Sequence, residues 1–123
     1  MVWWLTEPRK LSKEQSRVLR EAVRRREPVA LSAINLLELA LLFSVGSTRT
    51  DIPLEDVLAK LESHPAIQIL PLTVNVAAEI AVLGSSLRDP ADRTIVATAR
   101  TRKLRLITSD QRIIQSNLVP VVV

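Results

Sequence analysis

The sequence predicts an α/β domain, a parallel sheet with helices covering both faces. Three observations lead there. Short apolar runs ("VALS", "IQILPL", "LRLIT", "VPVVV") alternate with longer segments that read as helices. Helix-start signals stand where those segments begin, at Ser12, Pro53, Thr73, Asp89 with Pro90, and Asp110. The 123 residues, 47% hydrophobic and 24% charged, suit one folded domain over residues 1–123 with a single core.

Each element follows in order. Ser12-Lys13-Glu14-Gln15 is a capping-box pattern and predicts a helix from about Lys13 to Arg26, with Leu11, Leu19 and Val23 on its apolar side. "PVALSA", Pro28 to Ala33, is a short buried strand. It feeds a helix containing "NLLELALLF" that should stop near Gly46. Pro53, at a suitable first-turn position, opens a helix from about Leu54 to Glu62. Ile67 to Leu72 reads as a strand, and Thr73 caps a helix through Val82. Asp89 and Pro90 open "ADRTIVATAR", Leu104 to Thr108 is a strand, and Asp110 begins a short helix. "VPVVV" closes the chain as a strand. There is no internal repeat, linker or low-complexity segment.

Composition excludes several kinds of chemistry. The absence of cysteine removes disulfides and thiolate metal sites. No apolar run reaches membrane-spanning length and no signal peptide is visible, so a cytoplasmic protein without a membrane partner is expected. Gly46 and Gly84 are the only glycines, too few and too scattered for a phosphate-cradling loop. His64, the single histidine, reads as a helix-end residue. The net charge of +4 favours acidic partners such as nucleic acid. Arg17, Arg20 and Arg24 share one helical face, with Arg25 and Arg26 at its end, and a solvated surface helix is the favoured account of them. Arg100, Arg102, Lys103 and Arg105 form a second basic group.

The acidic residues are more telling. Glu38 is the one charge in a run of leucines, and a helix apolar nearly all round is normally buried. A buried carboxylate needs compensation: an arginine, a gap facing solvent, or a metal ion. Parallel sheets place their chemistry beyond the carboxyl ends of the strands. Asp110 follows the strand "LRLIT", Asp89 and Asp92 share a face of a helix's first turn, and Glu38 lies in the helix after "PVALSA". All four can reach one rim. Asp89, Asp92 and Asp110 each also suit a helix N-terminus, whereas Glu38 has no capping role.

"SAINLLELALL", "RDPADRTIVATA" and "LRLITSDQRI" resemble, in order, the motifs of the PIN-domain ribonucleases, specifically the VapC-type toxins of bacterial toxin–antitoxin pairs. The resemblance runs from "WWLTEP" to "VPVVV" and is most specific in the second motif. It implies a PIN-like three-layer domain that holds Mg²⁺ or Mn²⁺ on acidic side chains, cleaves RNA, and is neutralised by a cognate antitoxin. It carries the catalytic and metal-binding roles onto Glu38, Asp92 and Asp110, with Asp89 an accompanying acid of the same metal cluster. Thr108 or Ser109 matches a hydroxyl beside the last acid. Arg93 is expected in a structural salt bridge, or else supporting Asp89 or a phosphate.

The family's first metal acid precedes a tryptophan pair on the first strand, the middle of the sheet. This sequence opens "MVWWL", so that aspartate is absent and the central strand is expected to be largely missing. The sheet should then close up, with "VALS" beside "LRLIT", or recruit a strand from another chain. A catalytically defective relative that binds only its antitoxin or itself, and a non-catalytic RNA-binding module, are the alternative readings. Trp3 and Trp4 are expected in the core or a dimer contact. The leucine-rich helix offers more apolar surface than one small core needs, which predicts a homodimer.

Overall fold

The computed structural model of the chain describes residues 12–46 and 52–122, together with the backbone of residues 3–5. Five parallel strands form one sheet: β1 (Trp3–Leu5), β2 (Val29–Ser32), β3 (Ile67–Leu70), β4 (Arg105–Ile107) and β5 (Val121–Val122), in the order β3-β2-β1-β4-β5. Six helices connect them: α1 (Lys13–Arg24), α2 (Ala33–Ser44), α3 (Leu54–Ser63), α4 (Val74–Val82), α5 (Pro90–Arg102) and α6 (Gln111–Ser116). None of them is long and apolar enough to cross a membrane.

The centre of the sheet corrects the sequence reading. "VALS" does not pair with "LRLIT"; β1 lies between them, with Trp3 opposite Val29 on one side and Arg105 on the other. Three residues suffice because the neighbour β4 is itself only three residues long, so Trp3–Leu5 matches Arg105–Ile107 along its whole length. An empty central position would leave buried backbone groups unpaired, at roughly 1–3 kcal/mol each. The short strand removes that cost without closing the sheet.

Strand alternation divides the core in two. Val29, Ile107 and Val122 turn to one face and pack with Ala22, Val18 and Leu19 of α1. Ala30, Leu70 and Leu106 turn to the other, against Val76 of α4, Ile95, Val96, Ala97 and Ala99 of α5, and Ile113 of α6. Helices thus cover both faces, in three layers. Val23, expected on the apolar side of α1, is exposed, because Ala22 takes the buried position; the expectation for Leu11, like those for the side chains of Trp3 and Trp4, falls outside the described residues. Helix α5 runs through the core, and its buried Thr94 and Thr98 hydroxyls donate to the carbonyls of Pro90 and Thr94 one turn back.

Local signals set the helix ends. Ser12 and Gln15 form the expected capping box, and Ser32 and Asn35 form a second one at α2. Thr73, Asp89 and Asp110 each accept a backbone N–H at the starts of α4, α5 and α6. Pro53 stands at the N-cap of α3, one residue earlier than a first-turn position, and His64 closes that helix by accepting the N–H of Ala66. Gly46 at φ +68° follows α2 in the left-handed conformation that glycine adopts without strain.

Candidate functional site

The carboxyl ends of the strands lead to an open pocket of about 260 Å³ lined by Glu38, Asp89, Asp92, Ile95, Thr108, Asp110, Arg112 and Ile113. Four acids from three separate stretches of sequence meet there. Helix α2 brings Glu38, the start of α5 brings Asp89 and Asp92, and the turn after β4 brings Asp110.

The four are held differently. Asp89 caps α5, with its Oδ1 accepting the N–H of Asp92 at 3.0 Å. Asp110 caps α6, its Oδ1 accepting the N–H of Arg112 at 2.9 Å, and pairs with the Arg112 guanidinium at 3.3 Å. Glu38 faces the Nδ2 of Asn35 at 3.5 Å. The carboxylate of Asp92 accepts no hydrogen bond from the described residues; its nearest cation is Arg112, at 3.9 Å, and its side chain is 16% exposed.

Electrostatics follow from this arrangement. Burial first, then the charges of Asp89 and Asp110, push Asp92 up to about 6 against the pull of Arg112. Glu38 is also raised, first by partial desolvation of its carboxyl at the pocket rim and then by Asp89, with the Asn35 hydrogen bond opposing. Asp110 goes the other way. Its partial burial would raise it, but hydrogen bonds from the Arg112 side chain and from backbone N–H groups hold it below the ordinary carboxylate value.

These donors suit a hard cation. All are oxygens, the pocket is open enough to leave ligand positions to water, and Asp92 is a sheltered carboxylate lacking a donor. The cluster is looser than a finished site, however: among the described residues no three acidic or histidine side chains converge closely enough to hold a metal ion as they stand. Strand β1, between β2 and β4, contributes Trp3, Trp4 and Leu5 and no acid.

Several expectations meet corrections here. Glu38 is exposed and no residue of α2 is fully buried; the carboxylate stands at the pocket rim, Leu37, Leu41 and Leu42 are exposed, and Leu36 and Leu39 are half-buried. Arg93 forms no salt bridge among the described residues. Its guanidinium donates to the carbonyls of Ile80, Gly84 and Leu87, pinning the end of α4 to α5. Of the two hydroxyl candidates, Thr108 lines the pocket and accepts the N–H of Asp110 at 3.0 Å, whereas Ser109 faces Gln15. Arg112 is the site residue that the sequence reading missed; its signal was its place two residues after Asp110, in the first turn of α6.

Comparison with known proteins places the fold. The model of a family described as "PIN domain" matches residues 1–117. Ribonuclease VapC22 of Mycobacterium tuberculosis is 37% identical over 112 residues, covering 90% of this chain and 82% of that protein. The crystal structure of FitAcB from Neisseria gonorrhoeae superposes with a TM-score of 0.69 at 26% identity, covering 98% of this chain and 96% of that one. VapBC2 from Rickettsia felis, solved bound to a DNA fragment from their promoter, gives a TM-score of 0.72 over 99% of this chain and 98% of that one; at 15% identity it shows the fold alone.

Proposed function

This chain belongs to the PIN domain family, and we propose that it is a divalent-metal-dependent endoribonuclease of the toxin–antitoxin kind. The observation that carries the reading is Asp92: a sheltered carboxylate without a hydrogen-bond donor, facing Glu38, Asp89 and Asp110 across one pocket. Glu38, Asp92 and Asp110 would hold Mg²⁺ or Mn²⁺, with Asp89 beside them. Such an ion, when bound, polarises a phosphate oxygen and acidifies an attacking water.

The chain's own residues have distinct tasks. Asp89 fixes the first turn of α5 and so aims Asp92. Thr108 holds the N–H of Asp110 and so sets the turn that presents it. Arg112, mostly exposed beside the acids, offers a guanidinium to an RNA phosphate. The raised value of Asp92 means that it ionises fully only above about 6, so metal binding and cleavage should strengthen from pH 5 to pH 8.

The outward leucines of α2 supply the surface for protein partners. Leu37, Leu41, Leu42 and Val45 are all exposed, which suits a cognate antitoxin or a second copy of the chain. A second reading, a relative that binds partners without cleaving RNA, draws support from the loose convergence of the acids among the described residues.

RNA cleavage with Mg²⁺ or Mn²⁺, run beside Asp92→Asn, decides between them. The proposal expects metal-dependent cleavage that falls at least roughly a hundredfold in the variant. No cleavage by the wild-type chain, or equal cleavage by the variant, would overturn it.

A further inference from the structure

Gln15 stands in the first turn of α1 and is 1% exposed. Its backbone N–H donates to Ser12 Oγ and its Oε1 accepts the Ser12 N–H, both at 3.0 Å. The oxygen is thus occupied by the helix cap. The nitrogen faces elsewhere: Nε2 donates to the carbonyl of Thr108 at 3.1 Å and to that of Val122 at 2.9 Å, with Ser109 Oγ at 3.4 Å. One side chain therefore ties the start of α1 to the carboxyl ends of β4 and β5. The Val122 carbonyl also accepts the N–H of Thr108, at 3.2 Å, so the amide extends the β4–β5 ladder where the chain leaves the sheet. Two residues later comes Asp110, whose N–H rests on Thr108 Oγ1.

We propose that Gln15 is a positioning residue for the acidic pocket: its amide clamps the Thr108–Asp110 turn and thereby fixes where the Asp110 carboxylate points. The importance of this for function rests on the metal-site reading above. Buried carbonyls require donors, and the Gln15 amide serves two of them, those of Thr108 and Val122. Groups behind a ligand orient it, and losing one typically weakens metal binding 10–100-fold. Helix α1 packs on the face of the sheet opposite α5, so the clamp links the site to an element that takes no part in lining it.

Three variants of the full chain separate the clamp from the cap. Gln15→Glu keeps an oxygen for the capping box, where glutamate is a natural partner, but offers the two carbonyls no amide. Gln15→Met removes the polar group without adding charge, and decides the matter if the buried carboxyl of Gln15→Glu prevents folding. Ser12→Ala weakens the cap and leaves Nε2 in place. Two quantities are measured: hydrogen exchange of the Asp110 amide without metal, and Mn²⁺ affinity by calorimetry. Both Gln15 variants should exchange the Asp110 amide at least about tenfold faster and bind Mn²⁺ roughly 10–100-fold more weakly. Ser12→Ala should lower the melting temperature and alter neither quantity. Full protection of the Asp110 amide in Gln15→Met, or an equal loss in Ser12→Ala, would overturn the proposal. If the wild-type chain binds no Mn²⁺, the metal reading fails, and the exchange measurement alone decides the clamp.

Discussion

At the scale of single residues, the site's chemistry turns on how unevenly its acids are relieved. Asp92 is pushed up to about 6 by burial and by Asp89 and Asp110, against about 3.9 for an aspartate in an unfolded chain. The folded protein therefore binds this proton more tightly than the unfolded one. The resulting stability is fully present below the unfolded value and is lost as pH rises through about 6. Asp110 has the opposite sign, because its lowered value gives stability above the unfolded value that disappears in acid. The two windows do not coincide. Between pH 4 and pH 7 the metal-free protein should lose stability through Asp92, and Asp92→Asn should flatten that part of the curve. Urea midpoints across this range test it; a variant no more stable than wild type at pH 7.5 would contradict the assignment. Arg112→Ala removes the cation that lowers both acids, so Asp92 should titrate above about 6 and Asp110 should rise as well. Carboxyl carbon NMR shifts through a pH titration would show it.

At the scale of elements, Asp89 serves two purposes that substitution can separate. It caps α5 and it adds negative charge beside Glu38 and Asp92. Asp89→Asn retains a capping oxygen and removes the charge, so Glu38 and Asp92 should both ionise at lower pH with the helix intact. Asp89→Ala loses the cap too and should cost about 1 kcal/mol more by urea denaturation. Equal stability of the two variants would show that the cap contributes little. The caps at Ser12, Thr73, Asp89 and Asp110 were legible in the sequence because a short polar side chain before an apolar period has few other uses. The acids could be gathered onto one rim because the parallel topology places helix starts there. The central strand is where the sequence misleads: its opening residues read as too short to fill that place, and only pairing on both sides shows that Trp3–Leu5 is a strand. The surplus apolar surface of α2 is legible in its leucines, whereas the partner that covers it is not, because apolar composition measures affinity for burial alone. Arg112 and Gln15 were also hidden, since the sequence shows a charge and a helix cap but not the distant groups each one meets.

At the scale of the whole molecule, α2 leaves an apolar surface uncovered in the single chain. Leu37, Leu41 and Val45 recur every four residues and form a stripe along one side of the helix, exposed by 52%, 54% and 71%. Glu38 stands next to that stripe, so a chain docked there would also lie close to the mouth of the acidic pocket. A second copy of the chain is the partner always at hand, and we expect a homodimer that buries the stripe. Full burial of a leucine is worth about 1.5–3 kcal/mol, and a symmetric interface counts each substitution twice. Leu41 is already about half covered in the isolated chain, so Leu41→Glu should weaken the dimer by roughly 1.5–3 kcal/mol, at least about tenfold in dissociation constant. The same change should alter the stability of the isolated chain by only about 0.5 kcal/mol, because Leu41 is already exposed there. Light scattering at high micromolar concentration should find a dimer for wild type and a monomer for Leu41→Glu, with similar urea midpoints once both are diluted to monomer. A wild-type monomer at that concentration would reject self-association through this helix and leave its stripe to a partner of different sequence. Wild type and Leu41→Glu forming equally tight dimers would instead place the interface on another face of the molecule.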